Sequence, residues 1–338
     1  MPKIAVVILN WNGRKFLEKF LPALVEHNTA QAELIIADNA SSDDSIEFLR
    51  NNYPQIRIIQ NGHNGGFSRG YNEALALVEA EYFVLLNSDI EVTPNWIEPI
   101  ISMMDNDPMI AACQPKLLSW FERDTFEYAG GAGGFIDHYG YPFCRGRIFQ
   151  SLEKDEGQYN DTTEIFWATG ACMFVRADLY RQYGGLDNDF FAHMEEIDFC
   201  WRMKNAGFKI MYCPDSKVFH VGGGTLPKIS SRKTYLNFRN NLILLYKNLP
   251  AGEIPKVFLV RLILDTIASI KFLSEGFFKD FLAVTKAYLA FYGSFTQNKI
   301  KRSRIPHRKV KQIYKGFLVR DYYFYGKKKF HQLENKHF

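Results

Sequence analysis

With 338 residues, 47% of them hydrophobic, the chain can bury one large core or two smaller ones. Its net charge of +4 hides an asymmetry. Residues 299–338 carry 13 Lys and Arg against 2 acids, leaving 28 against 35 for the rest, so the C-terminal stretch suits an anionic partner. Five scattered cysteines without a CxxC pair exclude a disulfide framework or zinc site, and no leader or membrane-spanning run is recognisable, so a cytoplasmic location is expected.

The runs KIAVVILN (3–10), AELIIADN (32–39), IRIIQN (56–61) and YFVLLNSD (82–89) are short, nearly continuous apolar stretches, each ending in Asn or Asp. Buried parallel strands read this way. Amphipathic segments 14–26, 43–51 and 68–80 lie between them, so an α/β sheet with helices on both faces is predicted. From 111 to about 158 the pattern loosens into AGGAGGFIDHYGYPF, either an ordered insertion at the active site or a surface loop. Regularity returns with GACMFVR (170–176), a helix over 194–206 stopped by Gly207, and two strands, FKIMYCP and SKVFHV. Helical runs at 234–249 and 253–292 and the basic tail follow, with a domain boundary expected near residue 225.

In an open α/β sheet, ligands bind beyond the carboxyl ends of the strands. Asn10, Asp38, Asn39, Asn61 and the Asn87–Ser88–Asp89 triplet should therefore line one rim, where turn chemistry alone would explain any single one of them. Asp89 behind its strand can hold Mg2+ or Mn2+ while a diphosphate supplies further oxygens. In HMEEIDFCWRM (193–203), Glu195, Asp198 and Arg202 share one helical face and Glu196 points about 100° away. Acids in a first turn complement the helix dipole, which suits Asp198. Of the adjacent Glu195 and Glu196, one should face the site and take a proton from an acceptor hydroxyl. His220 ends a strand before three glycines and is either a structural histidine or a metal ligand. In NGHNGGFSRGYN (61–72), the turn around Asn64 and Gly66 offers backbone amides to an anion, or merely caps a helix.

Together these segments resemble the inverting family 2 glycosyltransferases of GT-A fold, especially the non-processive, rhamnosyltransferase-like members. VVILNWNG, IIADNASSDDS, NGGFSRGYN, LLNSDIE, ATGACMFVR, GGLDNDFFAHMEEIDFCWRMKNAGF and VFHVGGG occur in the family's order over residues 3–224. The resemblance implies a GT-A catalytic domain over 1–225 and a helical, basic region over 226–338. It implies that Asn10 and Asn12 line the nucleotide pocket, that Asp38 reads the base and that Asn72 lies near the donor. Asn87–Ser88–Asp89 resembles the D-x-D element, with Asn87 in place of its first acid, and His220 the additional metal-binding histidine. Glu195–Glu196 corresponds to the Glu-Asp pair whose second member is the base, which selects Glu196 with Glu195 as runner-up.

The implied activity is transfer of one sugar from a UDP or dTDP donor to a lipid-linked or glycan acceptor in cell-surface polysaccharide synthesis. Mn2+ or Mg2+ assists, and the anomeric centre inverts. A nucleotidyltransferase is disfavoured because NWNGRKF replaces its Gly-rich, Arg-containing loop, and a degenerate nucleotide-sugar-binding scaffold is the alternative. Tyr235, Phe238, Leu242, Leu245 and Tyr246 recur at helical spacing and read as packing surface. The tail KIKRSRIPHRKVKQIYKGF suits an anionic membrane surface, peripherally on the inner face of the cell membrane. No nucleic-acid partner is expected, because no recognition module accompanies the charge.

Overall fold

The apolar runs form strands because each can bury both of its faces. In β1 (Ile4–Asn10), Ala5 and Val7 enter one core while Ile4, Val6 and Ile8 enter the other. The computed structural model describes residues 2–222 and 230–333. The chain continues through α1 (Arg14–Glu26), β2 (Ala32–Asp38), α2 (Ser45–Asn52), β3 (Arg57–Gln60), α3 (Gly66–Leu75), β4 (Tyr82–Asn87) and β5 (Ile90–Val92). It then runs through α4 (Glu98–Asn106), β6 (Ile110–Ser119), β7 (Gly134–Asp137), β8 (Pro142–Cys144), β9 (Arg147–Ile148), β10 (Ser151–Leu152) and β11 (Thr163–Ile165). Next come β12 (Cys172–Arg176), α5 (Ala177–Gln182), α6 (Glu195–Ala206) and β13 (Lys209–His220). The C-terminal part comprises α7 (Ser231–Asn248), α8 (Ile254–Ser274), α9 (Phe278–Gly293), α10 (Phe295–Ser303), β14 (Ile313–Tyr314) and α11 (Leu318–Tyr323).

The main sheet has the order β11-β13-β6-β12-β4-β1-β2-β3, with β5 added to β13. Strands β4, β1, β2 and β3 are parallel, and register places Asn10 beside Asp38, Leu9 beside Asn87 and Asp38 beside Gln60. All four polar endings therefore share one rim. From β1 the chain winds outward to β3 and then returns to β4 on the other side of β1, which makes the β1/β4 exit the switch point of the sheet. Strand β12 continues the sheet antiparallel to both β4 and β6. This is the predicted mixed α/β architecture with a helical C-terminal region.

Three details differ from the sequence reading, and a fourth decides between its alternatives. FKIMYCP and SKVFHV are one strand, β13, whose register against β6 slips between Cys213 and Lys217; Pro214 lies in that slip and has no amide to give the ladder. The helical run 253–292 is a hairpin of α8 and α9, broken where Gly276 takes φ +82, a left-handed turn that glycine adopts without strain. The helix expected over 68–80 begins at Gly66 and ends at Leu75. Of the two readings of the loosened 111–158 region, ordered insertion or surface loop, the ordered one holds: β6 opens it, and β7–β10 form a second sheet with order β10-β9-β8-β7-β14.

That second sheet takes β14 from the basic tail, in parallel with β7. Lys301 pairs with Asp187 and Asp189, Arg302 donates to the Tyr246 carbonyl, and Tyr314 and Leu318 are buried in the same core as β1. The helical stripe of α7 also goes inward, with Leu242 and Leu245 wholly buried. Much of the tail is thus packed into the protein. The boundary expected near 225 lies outside the described residues.

Candidate active site

The rim is stitched by amides. Asn10 donates from Nδ2 to Asp38 Oδ1 (3.0 Å) and Ser41 Oγ (3.1 Å), while its own Oδ1 is buried without a partner. Asp38 Oδ2 accepts from the Ser41 amide (3.0 Å). Asn12, at φ 51, accepts from the Ser42 amide at 2.7 Å and ties the 41–43 loop to the exit of β1. Asn39 joins three segments: it accepts from Asn61 and donates to Asn64 Oδ1 (3.1 Å) and the Gly66 carbonyl (2.9 Å).

The turn into α3 spends several of its amides internally. Asn64 Oδ1 accepts from the Gly66 amide, and the Phe67 amide donates to the Phe191 carbonyl at 2.6 Å. Gly66 has φ +72, and a Cβ there would stand 2.4 Å from that carbonyl, so the position requires glycine. Asn64 and Gly66 therefore shape the rim from within. Asn72 sits apart, with its amide saturated by Leu186 O, Asn188 Oδ1, Tyr180 OH and the Leu186 amide.

At the end of β4, the Asn87 amide donates to the Ala171 carbonyl (2.9 Å), and the Ser88 hydroxyl and Asn10 Oδ1 both lie against Gly13. Pairing of β5 with β13 sets Ile90 opposite His220 and so brings Asp89 to the imidazole. Asp89 Oδ1 lies 3.2 Å from His220 Nε2, Asn87 Nδ2 lies 3.5 Å from the same nitrogen, and Glu127 Oε1 lies 3.4 Å from Nδ1. Glu127 was not found from the sequence; its only signal was an acid inside an aromatic, glycine-rich stretch. Burial pushes the imidazole toward neutrality, but the Glu127 and Asp89 carboxylates outweigh it and raise its pKa to about 10. Burial likewise pushes Asp89 up, and His220 more than offsets it, so the carboxyl stays ionised below its ordinary range.

Among the described residues, no group of three or more His, Cys, Asp or Glu could hold a metal ion unaided. Two protein ligands still fit a hard divalent cation that keeps water and phosphate oxygens. Ligand atoms at right angles on an ion with bonds of about 2.1 Å lie about 3 Å apart, close to the 3.2 Å between Asp89 Oδ1 and His220 Nε2. Glu127 on the far ring nitrogen orients the imidazole as a carboxylate behind a metal-bound histidine does. An ion there would displace the shared proton.

The glutamate pair opens α6 after a strained segment. Phe191, His193 and Met194 all have φ between 64 and 72, at a cost of roughly 1–3 kcal/mol each. Asn240 on α7 holds this segment by donating to the carbonyls of Phe190 (3.0 Å), Ala192 (2.9 Å) and His193 (2.8 Å), and Arg239 donates to those of Asp189 and Phe190. The segment ends with both Glu195 Oε2 and Glu196 Oε2 buried without partners. Burial raises both pKa values, Glu195 well above its ordinary value, with the Glu196 charge adding to it, and Glu196 to about 7. The Glu196 Cβ lies 3.7 Å from where a Gly170 Cβ would stand, one residue before the Ala171 carbonyl that holds Asn87. Glu196 thus approaches the β4 exit and is the more accessible of the two, Glu195 being buried. Asp198 has no part in this. Fully buried, it accepts from Arg202 (2.9 Å), Lys247 (2.9 Å) and Asn248 (2.9 Å). A hollow of about 330 Å3 near Lys3, Thr29 and Asp105, at the opposite end of the sheet, holds no comparable cluster.

Residues 5–184, more than half of the chain, match the model of glycosyl transferase family 2. The chain belongs to that family. It is a glycosyltransferase with an α/β fold shared by other nucleotide-sugar enzymes. The N-acetylglucosaminyl-diphospho-decaprenol L-rhamnosyltransferase of Mycobacterium tuberculosis is 23% identical over 235 residues, which span 64% of this chain and 75% of that protein. Among solved structures, GalNAc-T7 with UDP, GalNAc and Mn2+ superposes with a TM-score of 0.56 at 15% identity, over 74% of this chain and 49% of that longer one. The mannosyltransferase PcManGT from Pyrobaculum calidifontis, in complex with GDP-Man and Mn2+, superposes at 0.51 and 13% identity over 89% and 84% of the two chains.

Proposed function

We propose that this family 2 transferase moves a single sugar from a UDP or dTDP donor to a lipid-linked or glycan acceptor in cell-surface polysaccharide synthesis. One in-line displacement inverts the anomeric carbon. The observation that carries this reading is the Glu195–Glu196 pair at the β4 exit, each with its Oε2 buried without a partner, on the rim that holds Asp89 and His220. A carboxyl with a pKa of about 7 is half ionised at neutral pH and is well matched to accept a proton from a hydroxyl.

The donor nucleotide lies along the rim over Asn10, Asn12, Asp38 and Asn39, where the unpartnered Asn10 Oδ1 is available as an acceptor. Asp89 and His220 would hold Mn2+ or Mg2+, which offsets charge on the departing diphosphate. Ser88 and Asn87 face the same space, and Glu127 fixes the His220 ring. Glu196 takes the acceptor proton, while the neutral Glu195 behind it keeps a second negative charge out of the pocket. The mycobacterial relative's name specifies a polyprenyl-diphosphate acceptor, which supports a lipid-linked one here.

Calorimetry with UDP, dTDP and GDP, each with and without Mn2+, tests the reading on the wild type and on Asp89→Ala. One nucleotide should bind in a manner that needs both the metal and Asp89, with affinity falling at least ~10-fold without either. A folded protein that binds none of them overturns the reading, and one that binds a nucleotide yet transfers no sugar in the presence of Mn2+ belongs to the scaffold reading.

A further inference from the structure

The α8–α9 hairpin is built inside out. The stripe of α8 that faces the protein carries Val257, Arg261, Asp265 and Ser269, all buried. Arg261 pairs with Asp265 at 3.0 Å, Tyr288 of α9 donates to Asp265 at 2.8 Å, and Arg261 lies over the Tyr141 ring. The opposite stripe is aliphatic: Leu259, Leu262, Ile263, Ile267, Ile270 and Leu273 are 46–62% exposed. These positions follow i, i+3, i+4 spacing over 15 residues, so the stripe runs for about 20 Å. Helix α9 repeats the pattern with Phe278, Leu282, Leu289 and Tyr292 exposed opposite Ala283, Ala287 and Phe291. The two helices pack together through Phe258 and Phe291, so the stripes run side by side, joined at a tip where Phe277 and Phe278 are both exposed. Isolated exposed apolar residues need no explanation, but a continuous face of this size marks a contact with something apolar.

Charge selects the occupant. The exposed ionisable residues of the hairpin are Lys256, Lys271, Lys279, Lys286 and Glu275, and Lys271 pairs with Glu275. At about 100° per residue, Lys279 and Lys286 fall together on one flank of the α9 stripe. Lysine stems lying along an apolar face can lift their ammonium groups to a headgroup layer. A second copy of the chain would bring one lysine-rich fringe against another, whereas anionic lipid neutralises both. Among the described residues no helix is long and apolar enough to cross a membrane, so the face lies on the bilayer. We infer that the α8–α9 hairpin docks the protein on an anionic phospholipid membrane, its aliphatic face in the acyl boundary and its lysines among the headgroups. The expectation from sequence assigned this role to the tail, part of which is instead packed into the body. The inference stands apart from the transferase reading, since vesicle binding needs no donor or acceptor.

Flotation of the full chain with phosphatidylcholine vesicles, with or without phosphatidylglycerol, tests it. The wild type should float with the anionic vesicles and at least ~10-fold less with the neutral ones. Ile263→Glu with Ile267→Glu should lower partitioning at least ~10-fold, and Lys279→Glu with Lys286→Glu should abolish the preference for phosphatidylglycerol. Leu289→Glu on α9 reads the same face should the α8 variant fold poorly. Flotation of folded Leu289→Glu equal to the wild type overturns the inference. So does a wild type that ignores vesicles and sediments as a dimer which Leu289→Glu makes monomeric, because the face then belongs to a second copy.

Discussion

The first turn of α6 places three acids within four residues, and they have opposite fates. Asp198 is wholly buried yet saturated: burial alone would push its carboxyl up, but Lys247 and Arg202 outweigh that and hold it below its ordinary range. Glu195 and Glu196 have buried oxygens with no partner, and the same burial raises both. Helix dipole and sequence neighbourhood are nearly common to all three, so neither decides the outcome. The partners do. On one side α7 delivers an ammonium and an amide to Asp198; on the other, α7 delivers Asn240, which binds backbone and leaves the glutamates unneutralised.

The contrast is sharpened most by removing charge from each side. Glu196→Gln should lower kcat by ~10²–10⁴ in a sugar-transfer assay while donor binding by calorimetry is unchanged. A loss below ~10-fold passes the role to Glu195, tested by the matching Glu195→Gln. Asp198→Ala should act on the fold: it takes a buried carboxylate from Lys247, which keeps Asp187, and from Arg202, which keeps the Tyr183 and Gly185 carbonyls. It should cost about 2–3 kcal/mol, seen as a melting point lower by ~4–8 °C. Normal melting of this variant would mean that water reaches the site and that the comparison with the glutamates is false.

Asn240→Ala touches the hinge between the two regimes. The Ala192 and His193 carbonyls lose their donor, while Phe190 keeps Arg239, so stability should fall by about 2 kcal/mol. With the glutamates less firmly placed, kcat should drop ~10-fold at unchanged KM for the donor. A fall in stability with unaltered kcat would make Asn240 a purely structural residue.

These relationships were unevenly legible. Strands β1–β4 and their polar endings were plain, because continuous apolar runs that stop at Asn or Asp leave little choice of period or direction. The glutamate pair and His220 were found by position beside an element end. Glu127 was not, because its approach to His220 depends on a fold-back after β6 that no local pattern specifies. The second sheet was invisible for a related reason: strands of two to four residues among glycines show no periodicity, and β14 comes from far along the chain. In α8, Arg261 and Asp265 break an apolar run and look like surface, yet they are the buried side, because the ion pair and the Tyr288 hydroxyl satisfy them there.

The smallest expected effect is also the one that separates the two kinds of acid most directly. Glu196 has a folded pKa of about 7 against an ordinary 4.5. The fold therefore favours its neutral form, and this contribution is complete below the ordinary value and lost as pH rises through about 7. Glu195, raised further, adds to the loss at higher pH. The imidazoles act in the same window: His220, raised to about 10, gives up stability as pH rises above its ordinary 6.5, whereas His193, lowered to about 4 by burial with Lys233 adding to it, gains stability there. The share of Glu196 is therefore read as the difference between the wild type and Glu196→Gln. The proton-accepting form of Glu196 gains population over the same interval. Turnover per molecule should thus rise between about pH 6 and 8, while metal-free stability falls by about 1–2 kcal/mol more in the wild type than in Glu196→Gln. Glu195→Gln should recover part of that stability at the upper end, because the unfolded chain then has one carboxyl fewer to ionise. Asp198 predicts the reverse sign, since a lowered carboxyl stabilises above its ordinary value and is lost only in acid. A melting point that falls no further from pH 6 to 8 in the wild type than in Glu196→Gln would show that the glutamates have found partners in solution and that the two regions are alike.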